Sequence, residues 1–210
     1  MSIISPKNIN YKYPEATKKT LDNISHSFSK GKFYAIVGQS GAGKSTLLSL
    51  LAGLEEPTNG TILFNGYDIK LNGYSYHRKN NISLVFQNYN LIDYLTPLEN
   101  LKLVDKKATD ETLLKMGLKK EHMNKNVLKL SGGQAQRVAI ARAISSKAPV
   151  ILADEPTGNL DSKTATDIIE LLKDIAHKEN KCVIIVTHSK KLEQAADIVL
   201  ELHNGKLIEK

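Results

Sequence analysis

The chain contains no tryptophan, a single cysteine and no apolar run long enough to cross a membrane. Because Cys182 is the only cysteine, the sequence excludes a disulfide framework and a zinc site built from several cysteines, which fits a reducing cytoplasm. A membrane-spanning helix needs about 20 consecutive apolar residues, whereas the longest apolar runs here have the length of buried strands. The N-terminal segment lacks the basic start and apolar stretch of a signal peptide. We therefore expect a cytoplasmic protein that reaches a membrane only by docking onto another protein.

The composition is that of one ordinary globular domain. Hydrophobic residues make up 41% and charged residues 24% of the 210 residues, a length that allows one sizeable core and is too short for two domains. The net charge is +7, but the lysines occur as scattered pairs with acidic residues between them. This distribution favours a solvated surface, with an anionic membrane face or nucleic acid as the alternative interpretations.

Apolar periodicity predicts an α/β core that is interrupted by a helical insertion. Runs at residues 33–37, 149–153 and 182–186 predict buried strands, and residues 162–177 have the pattern of an amphipathic helix. A strand, a helix and a strand with this spacing are typical of a right-handed crossover in a parallel sheet. Residues 97–146 have a helical pattern instead. The other predicted elements are a helix at 46–52, strands at 61–64 and 82–86, and a hairpin of 198–202 with 206–209.

The first functional motif spans residues 38–46, Gly-Gln-Ser-Gly-Ala-Gly-Lys-Ser-Thr. It matches the P-loop pattern, in which glycines let the backbone fold around an anion and the following helix adds its positive end. Lys44 can reach the β- and γ-phosphates of a nucleotide, and the Ser45 hydroxyl can ligate magnesium. Because the motif follows a predicted strand and opens a predicted helix, it predicts a site for ATP and magnesium.

Two adjacent acidic residues, Asp154 and Glu155, follow the predicted strand at 149–153. In P-loop enzymes an aspartate at such a strand end holds magnesium, usually through water. Glu155 is the next residue and points to the other side of the strand, where it can face an attacking water. Acidic strand ends are common, so the pair is informative because it accompanies a P-loop.

Residues 130–134, Leu-Ser-Gly-Gly-Gln, distinguish among the many P-loop enzymes. They resemble the signature motif of ABC ATPases, and Arg137 and the predicted helix around it continue the resemblance. The motif offers a serine hydroxyl and two glycine amides at a helix N-terminus, which suits an anion. A helix cap is the alternative interpretation of such a loop, and its position shortly before Asp154 favours the signature motif.

Other landmarks of the ABC family appear in the family's order, so the resemblance covers essentially the whole chain. Gln87, after a predicted strand, resembles the Q-loop glutamine that senses magnesium and meets the membrane partner. Asp161 belongs to a D-loop-like Asn-Leu-Asp, and His188 resembles the switch histidine that contacts the γ-phosphate. Tyr13 stands where the family has an aromatic residue that stacks on adenine, with Tyr11 as the alternative.

The resemblance implies a fold and an assembly. The fold is a P-loop NTPase core, with a RecA-like parallel sheet and an antiparallel β subdomain, in a single domain of residues 1–210. An α-helical subdomain is inserted at residues 88–146. Two chains form a homodimer in the ATP-bound state, and each ATP lies between the P-loop of one chain and the signature loop of the other.

The resemblance also implies roles for individual residues. Glu155 would orient or deprotonate the attacking water, and Lys44, Gln87 and His188 complete the catalytic set. The predicted magnesium ligands are Ser45, Gln87 and Asp154. The predicted nucleotide-binding residues are Tyr13, Gly38, Ser40, Gly41, Ala42, Gly43, Lys44, Ser45, Thr46, Gln87, Ser131, Gly132, Gly133, Gln134 and Asp161.

Three stretches, residues 86–91, 95–100 and 157–161, resemble the subgroup for macrolide export, lipoprotein release and export of antimicrobial peptides or bacteriocins. This resemblance implies a transport-coupled ATPase that serves a separate membrane permease, in the cytoplasm at the inner face of the cell membrane. Between Asn100 and Gly117 the helical insertion is shorter than the usual pattern, which points to an unusual membrane partner. The transported substrate is not readable, because the surfaces that contact it lie on other chains.

A non-transport ABC ATPase that regulates a membrane protein, of the cell-division type, is the alternative function. ABC proteins that act on DNA or the ribosome fit less well. DNA-repair members carry a long coiled coil and ribosome-acting members carry two ATPase cassettes, whereas this chain has one P-loop. We therefore expect no nucleic-acid partner.

Overall fold

A six-stranded sheet forms the centre of the computed structural model, which describes residues 2–210. Its five neighbouring strands from β10 to β7 are parallel, and the edge strand β11 pairs with β10 in the antiparallel sense. In spatial order the strands are β11 (Lys206–Glu209), β10 (Ile198–His203), β4 (Lys32–Val37), β9 (Cys182–Val186), β8 (Val150–Asp154) and β7 (Ile82–Val85).

A second, antiparallel sheet packs against one face of the first. Its longest strand, β1, is bent by register shifts and pairs with three neighbours. Its strands are β1 (Ser2–Tyr11), β2 (Leu21–Ile24), β3 (Phe28–Ser29), β5 (Asn59–Phe64) and β6 (Tyr67–Asp68). The predicted fold class, a parallel core sheet with an antiparallel β subdomain and added helices, is confirmed by this arrangement.

Each parallel strand contributes to two cores, because successive side chains of a strand point to opposite faces. In β9, for example, Ile184 packs into the core shared with the antiparallel sheet, whereas Val183 and Ile185 pack into the core on the other face. Strands buried on both faces are near-continuous apolar runs, which is why β4, β8 and β9 were readable from the sequence.

Helices cover both faces of the parallel sheet. α1 packs on the side of the antiparallel sheet, whereas α6 and α7 pack on the other side together with the short helices that precede α6. The helices are α1 (Lys44–Leu51), α2 (Tyr74–Asn80), α3 (Pro97–Lys102), α4 (Asp110–Lys115), α5 (Lys120–Met123), α6 (Gly132–Ser145), α7 (Ser162–Lys178) and α8 (Lys190–Ala195), with a 3₁₀ turn at Val127–Lys129. No helix within residues 2–210 is long and apolar enough to span a membrane.

The segment with the helical pattern at 97–146 forms three short helices, a 3₁₀ turn and the longer α6. α4 is capped by Met116 and followed by Gly117, whose φ of 79° is left-handed and does not continue a helix. The first of these helices, α3, starts with a capping box between Thr96 and Glu99 and has Pro97 in its first turn. The boundaries of the inserted subdomain at 88–146 stay a prediction.

Candidate active site

The predicted catalytic residues come from the carboxyl ends of neighbouring parallel strands. The P-loop follows β4, Asp154 ends β8, and Gln87 and His188 follow β7 and β9. Because the strands run in register, with Asp154 beside Val186, these ends lie at the same edge of the sheet. A cleft of about 690 Å³ opens there. It is lined by Tyr13, Thr20, Ser40, Gly41, Gly43, Lys44, Ser45, Thr46, Gln87, Asp154, Glu155, Gly158 and His188.

The P-loop requires glycine at two positions because of its backbone and its close neighbours. Gly38 has a φ of 153°, and an added Cβ there would lie 2.4 Å from the carbonyl oxygen of Leu202. Gly43 is the N-cap of α1 with a φ of 97°, and a Cβ there would lie 2.9 Å from Cγ2 of Thr20. Only glycine adopts these conformations readily, so the sequence motif and the loop geometry agree.

Lys44 is buried at the centre of this loop. Its Nζ donates hydrogen bonds of 2.9 Å and 3.0 Å to the carbonyl oxygens of Gly38 and Gln39, and lies 3.1 Å from Nε2 of His188. Burial lowers the pKa of the Lys44 ammonium, while the carboxylates of Glu155 and Asp154 act in the opposite direction. The ammonium is thus held at the cleft wall, where an anionic group can compete for its hydrogen bonds.

Glu155 has one restrained and one unpaired carboxylate oxygen. The Thr187 hydroxyl donates a 3.0 Å hydrogen bond to Oε2. The buried Oε1 has no hydrogen-bond partner among residues 2–210 and lies 4.0 Å from Nε2 of His188. The backbone of Glu155 is left-handed, with a φ of 43°. Such a conformation costs about 1–3 kcal/mol in a residue other than glycine and is found most often at functional sites.

Two tyrosines near the cleft have different surroundings. Tyr13 lines the cleft, is 43% exposed, and its hydroxyl lies 2.8 Å from Oγ1 of Thr46. Tyr11 is only 7% exposed, and its hydroxyl donates a 3.2 Å hydrogen bond to Glu55. The two rings meet edge to face with centroids 4.9 Å apart. Tyr13 is therefore the one with a ring surface free to stack on a flat ligand.

The signature-like loop lies away from this cleft. Ser131 is the N-cap of α6, and it forms a capping box in which Gln134 N–H donates to the Ser131 hydroxyl and Ser131 N–H donates to Gln134 Oε1. Neither residue lines the cleft, and neither do Gly132, Gly133 and Asp161. Two predicted nucleotide-binding residues of the P-loop, Gly38 and Ala42, do not line the cleft either.

Asp161 caps the next helix. Its carboxylate accepts hydrogen bonds from the Thr164 hydroxyl and from the amides of Thr164 and Lys163 at the start of α7. The hydrogen bond from the Thr164 hydroxyl lowers the pKa of Asp161, and the two amides act in the same direction. The carboxylate is thus held as an anion at a helix N-terminus, where it is most stable.

Sequence reasoning missed two threonines of the site. Thr187 directly precedes His188 and binds Glu155, and Thr20 forms part of the cleft wall and touches the P-loop at Gly43. A polar residue directly after the apolar strand β9 was a visible signal for Thr187. Thr20 carried no signal, because its position follows from the path of the chain between β1 and β2.

Comparison with protein families gives one match that covers most of the chain. The profile described as "ABC transporter" matches residues 21–158. Among curated proteins, the "Uncharacterized ABC transporter ATP-binding protein YclH" of Bacillus subtilis is 42% identical over 215 residues, covering 98% of this chain and 95% of that protein. The "Macrolide export ATP-binding/permease protein MacB" of Mannheimia succiniciproducens is 38% identical over 224 residues, covering 100% of this chain and 34% of that protein.

Solved structures give a similar result. The "Dimeric Structure of MJ0796, a Bacterial ABC Transporter Cassette" superposes with a TM-score of 0.89 at 34% identity, covering 99% of this chain and 98% of that one. A second dimeric structure of MJ0796 is described as a post-hydrolysis state bound to ADP and Pi, and it superposes with a TM-score of 0.87. The similarity therefore extends over nearly the whole chain, including both sheets and the helices.

Proposed function

The chain belongs to the ABC transporter family, which confirms the prediction from its motifs, and we propose that it is the ATP-hydrolysing subunit of an exporter. The observation that carries this proposal is the convergence of Lys44, Glu155 and His188 in one cleft, with one oxygen of Glu155 unpaired. A second chain and a membrane permease complete the assembly.

Each group in the cleft has a chemical role in this proposal. The P-loop amides and Lys44 bind the phosphates of ATP and stabilise the negative charge that develops on the γ-phosphate. Glu155 accepts a proton from, or orients, the attacking water through its unpaired Oε1. His188, whose Nε2 lies 3.1 Å from Nζ of Lys44, fixes the geometry around the γ-phosphate. Tyr13 stacks on the adenine.

The cleft also contains an oxygen donor set of the kind that suits magnesium. The Ser45 hydroxyl, the Gln87 side-chain carbonyl and the Asp154 carboxylate all line it. We propose that these three groups hold Mg²⁺ together with the nucleotide. When bound, the ion would neutralise phosphate charge.

The position of the signature-like loop supports a site shared between two chains. Ser131 and Gly133 lie outside the cleft of their own chain, so they are free to meet a nucleotide held by a second copy. The dimeric structures of MJ0796 describe a relative that assembles in pairs. We therefore propose a homodimer that closes on two ATP molecules and opens after hydrolysis.

A groove beside Gln87 supports a membrane permease as the second partner. It has a volume of about 400 Å³ and is lined by apolar side chains that include Phe86 and Leu103 and by the basic Arg78 and Lys79. Leu103 is 58% exposed. Such an apolar strip with a basic rim suits an amphipathic helix that carries acidic residues. Docking there would keep the subunit peripheral at the inner face of the membrane.

We propose export of a peptide, bacteriocin, lipoprotein or drug, because MacB is described as a macrolide export protein and 34% of its length matches the whole of this chain. The alternative, a regulator of a membrane protein, shares all of the ATPase chemistry. Both functions involve a membrane partner, so co-purification identifies that partner and an efflux assay separates the two functions. Loss of peptide or drug efflux on deletion of the pair supports export, and unchanged efflux contradicts it.

The first test is the mass of the Glu155→Gln chain in solution, with and without ATP and magnesium. We expect a nucleotide-dependent shift from monomer to dimer, because the variant binds ATP but hydrolyses it slowly. Glu170→Gln, on the exposed face of α7, is the matched control and should hydrolyse ATP as the parent does. Unimpaired ATP hydrolysis by the Glu155→Gln chain would show that Glu155 does not activate the attacking water.

A further inference from the structure

The side chain of Gln134 is held at both ends. Its Oε1 accepts a 2.9 Å hydrogen bond from the backbone N–H of Ser131, and its Nε2 lies 3.1 Å from Nε2 of His122. The Ser131 N–H is a donor, so it fixes which end of the amide is the oxygen. The other end is then the NH₂ group, which must donate to the His122 ring.

This arrangement determines the form of His122. A nitrogen that accepts from Gln134 carries no proton, so the ring is neutral with its proton on Nδ1. Nδ1 is buried and has no hydrogen-bond partner within residues 2–210. The neighbouring Glu121 is largely exposed, and its carboxylate oxygen lies 3.6 Å from His122 Nε2. Because Nδ1 has no partner and the Glu121 oxygen is farther away, the contact with Gln134 is the closest polar contact of this ring.

The contact joins two parts of the chain that are separate in sequence. His122 lies in α5, a four-residue helix of the insertion that is anchored by the buried Met123. Gln134 lies in the first turn of α6 and belongs to the capping box of Ser131. The Ser131 Oγ accepts from Gln134 N–H, so its own proton stays free for an external acceptor.

We propose that His122 is a positioning residue that orients Gln134 and, through the capping box, sets the direction of the Ser131 hydroxyl at the N-terminus of α6. This role rests on the proposed function, because Ser131 acts on the nucleotide of a second chain. Losing the acceptor on His122 frees the Gln134 amide to rotate, and the cap that aims Ser131 loosens with it.

Two variants separate this role from packing. His122→Leu fills a similar volume but has no acceptor, whereas His122→Gln places a carbonyl oxygen where Nε2 lies. Both are made in the Glu155→Gln chain, and ATP titrations followed by sedimentation measure dimer formation. Equilibrium dialysis at low protein concentration measures ATP binding by the monomer, and hydrogen exchange measures opening of residues 131–135 without nucleotide.

We expect His122→Leu to need about fivefold more ATP for half-maximal dimer formation, as loss of one hydrogen bond predicts, and His122→Gln to restore the parent value. Monomer ATP affinity should be the same in all three proteins. Exchange at 131–135 should be faster in the Leu variant and normal in the Gln variant.

Dimer formation by His122→Leu at the parent's ATP concentration would overturn the proposal, and so would equal impairment of the Leu and Gln variants. If the Glu155→Gln parent itself does not dimerise, the proposed shared site is wrong, and hydrogen exchange still decides the positioning role. Unchanged exchange at residues 131–135 in the Leu variant would then reject it.

Discussion

The hydroxyl of Thr187 donates a 3.0 Å hydrogen bond to the carboxylate of Glu155. The same hydroxyl oxygen accepts a 3.0 Å hydrogen bond from the backbone N–H of Ser189, which leaves its proton to point at Glu155. Thr187 is fully buried. One oxygen of Glu155 is therefore fixed by the core, and the other is left for the cleft.

Thr187→Val should lower kcat for ATP hydrolysis about tenfold, because a buried hydrogen bond to a charged group is worth ~1.5 kcal/mol or more. The KM for ATP should change little, since Thr187 does not line the cleft that the P-loop forms. Thr187→Ser keeps the hydroxyl and should retain most of the activity. Steady-state kinetics of the three proteins checks this, and full activity of the valine variant would show that the Thr187 contact has no part in catalysis.

Tyr13→Leu should weaken ATP binding by about threefold to tenfold, because an aromatic contact contributes ~0.5–1.5 kcal/mol beyond its buried area. Tyr13→Phe keeps the ring and should bind nearly as the parent does. Titration with ATP and with triphosphate checks the assignment, since triphosphate has no base and its affinity should be unchanged.

Tyr11→Leu is the control for this pair. Tyr11 is buried and bonded to Glu55, so this variant should lose stability without losing ATP affinity. Weaker ATP binding in Tyr11→Leu than in Tyr13→Leu would assign the adenine contact to Tyr11.

The parallel strands were predictable because burial on both faces leaves a continuous apolar run, as at Cys182–Val186, where the predicted and observed bounds coincide. β1 was not predictable in this way. It contains Pro6 and the exposed polar residues Lys7 and Asn8, which interrupt the apolar pattern, and its ten-residue length comes from pairing with three other strands. α2 has only one buried residue, His77, so it has no apolar period to detect.

The candidate site shows the same difference between what local sequence patterns predict and what they do not. Lys44, Asp154 and Glu155 belong to contiguous motifs whose residue types the chemistry demands, so the sequence named them. Contacts between distant segments, such as Thr187 with Glu155, depend on strand register that no local pattern encodes. The magnesium ligands and the residues that act on a second chain stay predictions.

Gly133→Ala should impair ATP-driven dimer formation. An added Cβ would lie 2.6 Å from Cγ2 of Thr164, and the hydroxyl of Thr164 is bonded to Asp161. The clash therefore disturbs the start of α6 and the cap of α7 together. Measured in the Glu155→Gln chain, the dimer should need about tenfold more ATP, as a 1–2 kcal/mol overpacking cost predicts.

Thr164→Ser tests the cause of that effect. Serine removes Cγ2 and keeps the hydroxyl for Asp161, so Gly133→Ala combined with Thr164→Ser should recover much of the dimer formation. If the double variant is as impaired as Gly133→Ala, the new methyl group acts at the partner's nucleotide and not on Thr164.

Arg142 of α6 forms hydrogen bonds with the segment that follows Gln87. Its guanidinium donates hydrogen bonds of 2.8 Å and 3.3 Å to the carbonyl oxygens of Asn90 and Tyr89. Both residues are left-handed, with φ values of 49° and 61°, a conformation that is costly outside glycine and needs such support. Burial lowers the pKa of the Arg142 guanidinium, which stays charged because its ordinary pKa is so high.

Arg142→Gln should lower the free energy of unfolding by about 2 kcal/mol, since two hydrogen bonds from a charged group are lost. Hydrogen exchange should accelerate across residues 87–92, because the left-handed turn loses the hydrogen bonds that Arg142 of α6 donates to its carbonyl groups. Lys178→Gln, which removes an exposed ion pair with Asp174, is the control and should cost less than ~0.5 kcal/mol. Unchanged hydrogen exchange across residues 87–92 in the Arg142 variant would mean that the turn keeps its conformation without the guanidinium. Apolar packing alone would then hold this segment against α6.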